Sequence, residues 1–263
     1  MTYPADSRLR DGLLDHLPAD EIRAAFARSP GNEMASGKFL NPDSSAALAA
    51  NGFGYFLKRP TDFPAIPGLV DGPVRSVQIE REMRFPWRGG RHPWLDAAIR
   101  TDHVLVGVES KRYEPYRPGK SGSFADTYWT HDWPDGSQHY QAVRDAVREG
   151  GSGFRQLDVA QLCKHALGLA TEAGRLGLRP VLLYLYAEPT AFSDGRPVLP
   201  ERLSRHRREV ADFSHRLAGA EPVFHAMTWD TLLSIWAAKG GAVADHATAV
   251  REVFRPARAD GAA

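Results

Sequence analysis

Three residues in this chain have the types and spacing to do chemistry on a phosphodiester: Asp96, Glu109 and Lys111. Glu109-Ser110-Lys111 closes an apolar run, Leu105 to Val108, that reads as a buried strand. Asp96 lies thirteen positions before Glu109, inside a second apolar stretch, Leu95 to Ile99. A charge at low dielectric is costly unless it is paired or bound to a metal. Two carboxylates can hold a hard divalent cation such as Mg²⁺ or Mn²⁺, and the backbone carbonyl of Ser110 offers a further oxygen. A lysine beside the attacking water can orient it and offset the charge that builds on the phosphorus. Residues two apart on a strand share a face, so Glu109 and Lys111 point the same way. The triplet is short and recurs by chance; its bland reading is a solvated salt bridge at a strand end.

The elements that must position these residues can be read from periodicity. Val77 to Phe85 alternates apolar and polar residues, Trp94 to Arg100 is a second strand, and Val104 to Tyr113 a third. Their short connections make an antiparallel meander that sets Asp96 beside Glu109. Leu157 to Leu178 carries a helical apolar stripe (Leu162, Ala166, Leu169, Ala170) and stops before Pro180. Val181 to Tyr186 is apolar on both faces and belongs inside a sheet. A helix over about 200–218, a short strand from Pro222 to Ala226 and a helix from Thr231 to Ala238 follow. Upstream, Asp43, Ser44 and Ser45 offer N-caps for a helix over Ala46 to Ala50, with Asn51-Gly52 as its stop. The domain reading is a helical leader over 1–30 and a single domain over 31–254. The domain carries an aromatic insertion at about 114–153, with a short helix near Tyr140 to Arg148, and a flexible tail over 255–263 follows.

The composition narrows the class. Hydrophobic residues make up 43% of the 263, enough for a full core, and the net charge of +1 leaves nucleic-acid binding to local patches. The lone cysteine, Cys163, rules out a disulfide framework or a cysteine zinc site within one chain. The N-terminus lacks a basic start and an apolar segment, and no apolar run could cross a bilayer, so the expected location is cytoplasmic, with no membrane partner.

Taken together, these segments resemble the PD-(D/E)XK nuclease superfamily and, within it, a bacterial family of restriction-endonuclease-like proteins. The closer likeness rests on Ser36 to Phe39, Ser44 to Ala49, His92-Pro93-Trp94-Leu95-Asp96 and Val108 to Pro115. It continues through Gln161 to Leu169 and Tyr184 to Pro189, spanning about residues 30–240. The resemblance implies an α/β fold, a restriction-endonuclease-like core of order α-β-β-β-α-β with a mixed central sheet flanked by helices. It implies a metal-dependent DNA endonuclease of restriction type, with DNA as partner and Mg²⁺ or Mn²⁺ as cofactor. A homodimer is compatible with cutting two strands. Asp96, Glu109 and Lys111 take the pattern's three positions, with Leu95 where the pattern has proline. Gln161 matches the glutamine of a Gln-x-x-x-Tyr helix motif, and His165 replaces its tyrosine, on the same helix face.

Other residues carry weaker expectations. Glu80 or Glu82, sharing a face of the first strand, is a candidate to add a carboxylate to the metal site, and so is Glu33 from its loop; the bland reading is a polar surface. Glu114 reads as a strand terminator or a partner for Arg112 or Arg117. Arg88, Arg91, Arg112, Arg117 and Lys120 cluster around the motif in sequence and suggest a DNA groove. The basic run Arg202 to Arg208 is a second phosphate-binding candidate, weighed against a solvated helix face. The alternative function, from another class, is a catalytically silent protein of the same fold acting as a DNA-binding or structural subunit.

Overall fold

A computed structural model describes residues 9–118 and 122–255 of the protein. The chain begins with a hairpin of β1 (Leu9–Arg10) and β2 (Leu13–Leu14), followed by α1 (Ala19–Arg28) and α2 (Ser45–Gly54). Then come β3 (Ser76–Glu82), β4 (Trp94–Arg100) and β5 (Val104–Lys111). Helices α3 (Gln138–Arg148) and α4 (Val159–Leu176) lead to β6 (Arg179–Tyr186), α5 (Pro200–Arg216) and β7 (Val223–Thr228). The described chain closes with α6 (Trp229–Ala238) and α7 (Gly241–Val253). Strands β3 to β7 form one sheet in chain order, with the β3-β4 and β4-β5 pairs antiparallel and the β5-β6 and β6-β7 pairs parallel. This is the expected mixed sheet in an α-β-β-β-α-β order. β6 is interior, and Val181 to Leu185 are buried on both faces.

One face of the sheet packs against α1, α2, α6 and α7, and the other against α3, α4 and α5. Side chains cap the starts of the two helices that flank the site strands, α2 and α4. The Ser44 hydroxyl accepts from the Ala47 amide at 3.0 Å, and the Asp158 carboxylate accepts from the Gln161 amide at 2.9 Å. α4 ends at Gly177, whose φ of 65° suits glycine.

Three local expectations change. The helix expected to stop at Asn51-Gly52 runs on to Gly54. Asn51 is fully buried: its Oδ1 accepts from the Leu14 amide at 2.9 Å, and its Nδ2 donates to the Gly12 and Ala47 carbonyls. Gly52 is small because a Cβ there would lie 2.9 Å from the Trp229 ring. Among its described residues the expected helical leader is helical only in α1, with a hairpin before it, and Leu13, Leu14, Ile22 and Phe26 join the same core as α2. The C-terminal α7 has no counterpart in the sequence reading. The proposed tail beyond residue 255 lies outside the described residues.

A distortion in β3 and β4 sets up the site. Register pairs Ile79 with Ala97 and Arg81 with Leu95, so Glu80 stands opposite Asp96. Glu80 has a φ of 48°, left-handed and unusual for a non-glycine residue within a strand. The two-residue alternation breaks at this step. Ile79 and Ala97 belong to the core beneath α2, whereas Met83 and Leu95 belong to the core beneath α4. Beyond the break the β3-β4 hairpin bends over α4. A Cβ on Gly168 would sit 2.7 Å from the Pro93 ring, and Arg175 donates to the carbonyls of Arg84 and Phe85 at 3.1 and 2.9 Å.

Candidate active site

β4 and β5 pair from Arg100↔Leu105 to Ala97↔Val108 and then part. Asp96 fills the opening: its Oδ2 accepts from the Ser110 amide at 2.6 Å. In an extended residue the N–H and C=O point to the same strand edge, so the Ser110 carbonyl belongs to the edge that faces Asp96. The Ser110 hydroxyl lies on the other side and accepts from the Trp229 indole at 3.1 Å.

Glu109 and Lys111 share the α4 face of β5, as their spacing requires. Lys111 Nζ is 2.5 Å from Glu109 Oε1, and His165 Nδ1, on α4, is 3.0 Å from Oε2, close but off the geometry of a hydrogen bond. Glu109 is 3% exposed and Lys111 17%. Burial alone would push the Glu109 carboxyl up, but Lys111 and His165 overcome it and hold the group at about 2. Burial would likewise lower Lys111, and Glu109, Glu114 and Asp96 reverse that, leaving its ammonium firmly protonated. Asp96 is raised well above the usual carboxylate range by burial and then by the charge of Glu109. Glu80 is pushed up to about 7 by burial, with Glu33 and Glu109 adding repulsion and Ser29 opposing it through a hydrogen bond. Glu80, Asp96 and Glu109 are therefore electrostatically coupled, and Glu33 reaches this group through Glu80. Glu82 pairs with Arg84 instead.

Among the described residues no three His, Cys, Asp or Glu side chains form a group able to hold a metal ion by themselves. The donor set at the β4-β5 opening is two carboxylates and a carbonyl. That suits a hard cation keeping several waters, the usual state of protein-bound Mg²⁺. The crowding of Glu80, Asp96 and Glu109 is an excess of negative charge that a cation would relieve.

A cleft of about 950 Å³ opens beside Lys111, lined among others by Glu114, Arg117, Arg155, Gln161 and Tyr184. Gln161 stands in the first turn of α4, half-buried, one helical turn before His165. Glu114 holds the β5 exit: it accepts from the Arg112 and Tyr113 amides at 2.8 and 3.0 Å and from the Ser45 hydroxyl at 2.5 Å. Of the basic residues expected in a groove, Arg117 lines the cleft and pairs with Asp43. Arg112 is buried, bonded to the carbonyls of Pro42 and Phe254. Arg88 and Arg91 do not line the cleft; the bend in the hairpin carries their turn over α4, where Trp87 packs on Tyr128, Trp133 and His131. Lys120 lies outside the described residues. In the basic run, Arg202 bonds the Tyr116 carbonyl and Arg207 pairs with Glu188 at 2.6 Å, so part of that charge is structural.

The sequence reading gives no role to two residues at the site, although Tyr184 lies in the expected strand and in the segment that carries the resemblance. Tyr184, opposite Glu109 in the parallel register, lines the cleft and bonds buried His206 at 2.9 Å. Glu209, on α5, grips the segment that enters α4. Their partners lie on other elements, beyond any local pattern.

Over residues 6–251 the chain matches the model of a family described as "Restriction Endonuclease associating with ARP". No match was found among curated proteins or among solved structures. Among the described residues no helix is long and apolar enough to cross a membrane. The family match runs over nearly the whole chain, and the mixed five-strand sheet flanked by helices is compatible with a restriction-endonuclease-like core. This chain belongs to the Restriction Endonuclease associating with ARP family.

Proposed function

We propose that the protein is a divalent-metal-dependent deoxyribonuclease, an endonuclease of restriction type that hydrolyses phosphodiesters. The observation that carries this reading is the meeting of Asp96, Glu109 and Lys111 where β4 and β5 part, beside a cleft. Asp96, Glu109 and the Ser110 carbonyl would hold Mg²⁺ or Mn²⁺, which when bound supplies Lewis-acid polarisation of the phosphate and a more acidic water. Lys111 donates to the attacking water and offsets the charge growing on the phosphate oxygens. Gln161 bonds substrate or water from the helix start. His165 keeps the second Glu109 oxygen in place. Glu80 and Glu33 add negative charge on the far side of Asp96, where a further cation would be attracted. Cutting both strands of a duplex would use two copies of the chain, and the family's description names ARP as an associate to seek by co-purification.

The test is cleavage of supercoiled plasmid, methylated and unmethylated, in Mg²⁺, Mn²⁺ and EDTA, with Glu109→Ala alongside. Metal-dependent cutting that the variant loses is the expected result. Equal cutting by the variant, or cutting in EDTA, would remove the site assignment. A second reading, a catalytically silent DNA-binding or structural subunit, is favoured by one observation: Lys111 and His165 already lie 2.5 and 3.0 Å from the two Glu109 oxygens. It predicts a melting temperature that Mn²⁺ does not raise.

A further inference from the structure

The cleft has a second charged lip that the metal centre does not use. Between α3 and α4 the chain turns at Gly150 and Gly153, at φ 75° and 79°, and then lines the cleft from Gly153 to Leu157. Glu209, 8% exposed, reaches this lip from α5. Its Oε1 accepts from the Arg155 amide at 3.0 Å, and its Oε2 from the Gln156 and Leu157 amides at 2.7 and 2.9 Å. Three amides on one buried carboxylate fix the backbone of a segment that has no regular structure of its own. The side chain so presented is Arg155, which is exposed. Lys111 is held by Glu109 and Arg117 by Asp43, whereas Arg155 forms no ion pair among the described residues.

We propose that Arg155 binds a substrate phosphate in this cleft, presented to the nucleic-acid backbone by the grip of Glu209 on the amides of residues 155 to 157. The inference rests on the reading of DNA as substrate. A guanidinium takes a phosphate through two parallel hydrogen bonds, and a pre-set backbone lowers the ordering cost of binding. Glu209 is a positioning residue and touches no reacting atom.

Binding of a fluorescent duplex to the wild-type protein is measured in EDTA over a range of salt, with Arg155→Ala and Glu209→Gln in parallel. Losing one phosphate contact should weaken binding on the order of tenfold and flatten the slope of log K against log salt by about 0.9. Glu209→Gln should speed amide exchange at residues 155 to 157 and raise KM for cleavage while kcat stays within about twofold. An unchanged slope in Arg155→Ala overturns the phosphate contact. A fall in kcat with unchanged KM in Glu209→Gln overturns the positioning role. Absence of duplex binding by the wild type overturns the inference as a whole, while the plasmid assay judges the nuclease reading separately. A flattened slope in Arg155→Ala together with no metal-dependent cleavage by the wild type would support the phosphate contact and defeat the nuclease.

Discussion

The two sides of β5 face different environments. Toward α2 and α6 the strand presents Val104, Val106 and Val108 to a core that includes Phe53, Phe56, Trp229 and Trp236. Toward α4 it presents Leu105, Gly107, Glu109 and Lys111, so the same strand passes from apolar to charged within four residues. Gly107 marks the change: a Cβ there would lie 2.3 Å from Leu95, because the Leu95 side chain crosses onto this face after the break at Glu80. The first face is built for stability, through aromatic burial and few polar groups. The second carries several charges at low exposure, a costly arrangement of the kind that clusters at functional sites.

This contrast can be broken most sharply at Lys111. Lys111→Ala should lower metal-dependent cleavage on the order of 10²–10³-fold, the usual effect of losing one charge-stabilising donor. The far-UV spectrum and the packing of the aromatic face should stay as they are. Cleavage within a few-fold of wild type would show that the charged face does not do the chemistry. The opposite substitution is Trp236→Ala. Trp236 is fully buried against Phe53, Phe56 and Phe63, with centroids 5.1 to 5.8 Å away. Its truncation should cost about 3–5 kcal/mol in urea unfolding and leave the cleavage rate per folded molecule near wild type. A loss under about 1 kcal/mol would mean that the aromatic face relaxes around the cavity.

The smallest effect is one of pH. Each face holds one buried histidine pushed down to about 4 by burial, His206 on the α4 side and His246 on the α7 side. Each folded-state value lies below the unfolded value of 6.5. The unfolded chain therefore binds more protons between these limits, and stability is lost as pH falls from about 6.5 toward 4. Each contributes a slope of about 1.4 kcal/mol per pH unit in that window. Glu80, raised to about 7, works in the opposite direction, so the measurement is a difference. His246→Gln should flatten the stability–pH curve by one histidine's share, and parallel curves for variant and wild type would contradict it.

Much of the fold was legible because short-range physics carries it. The alternation of Trp94 to Arg100, the apolar run through β6 and the cap at Ser44 depend on neighbours within a few positions, and the structure has these elements within a few residues of the expected bounds. The i, i+2 rule put Glu109 and Lys111 on one face, and the meander brought Asp96 near them. What failed was governed by distant contacts. Asn51-Gly52 is a stop by propensity, yet the helix continues because Asn51 bonds to Gly12 and Leu14 from another element. Arg88 and Arg91 looked close to the motif in sequence, but the break at Glu80 turned their hairpin away.

The sequence by itself determined which residues could carry charge chemistry and on which elements they ride, because residue type and the periods of strand and helix are local properties. Only the tertiary structure decided how those residues meet. It placed Asp96 on the Ser110 amide through the parting of β4 and β5, put His165 against Glu109, and set Glu80 opposite Asp96 in a left-handed backbone. It also brought Glu209 across more than fifty residues to the lip that bears Arg155. Each of these contacts joins groups on separate elements, and its geometry follows from how the whole sheet and its helices pack, which no local pattern encodes.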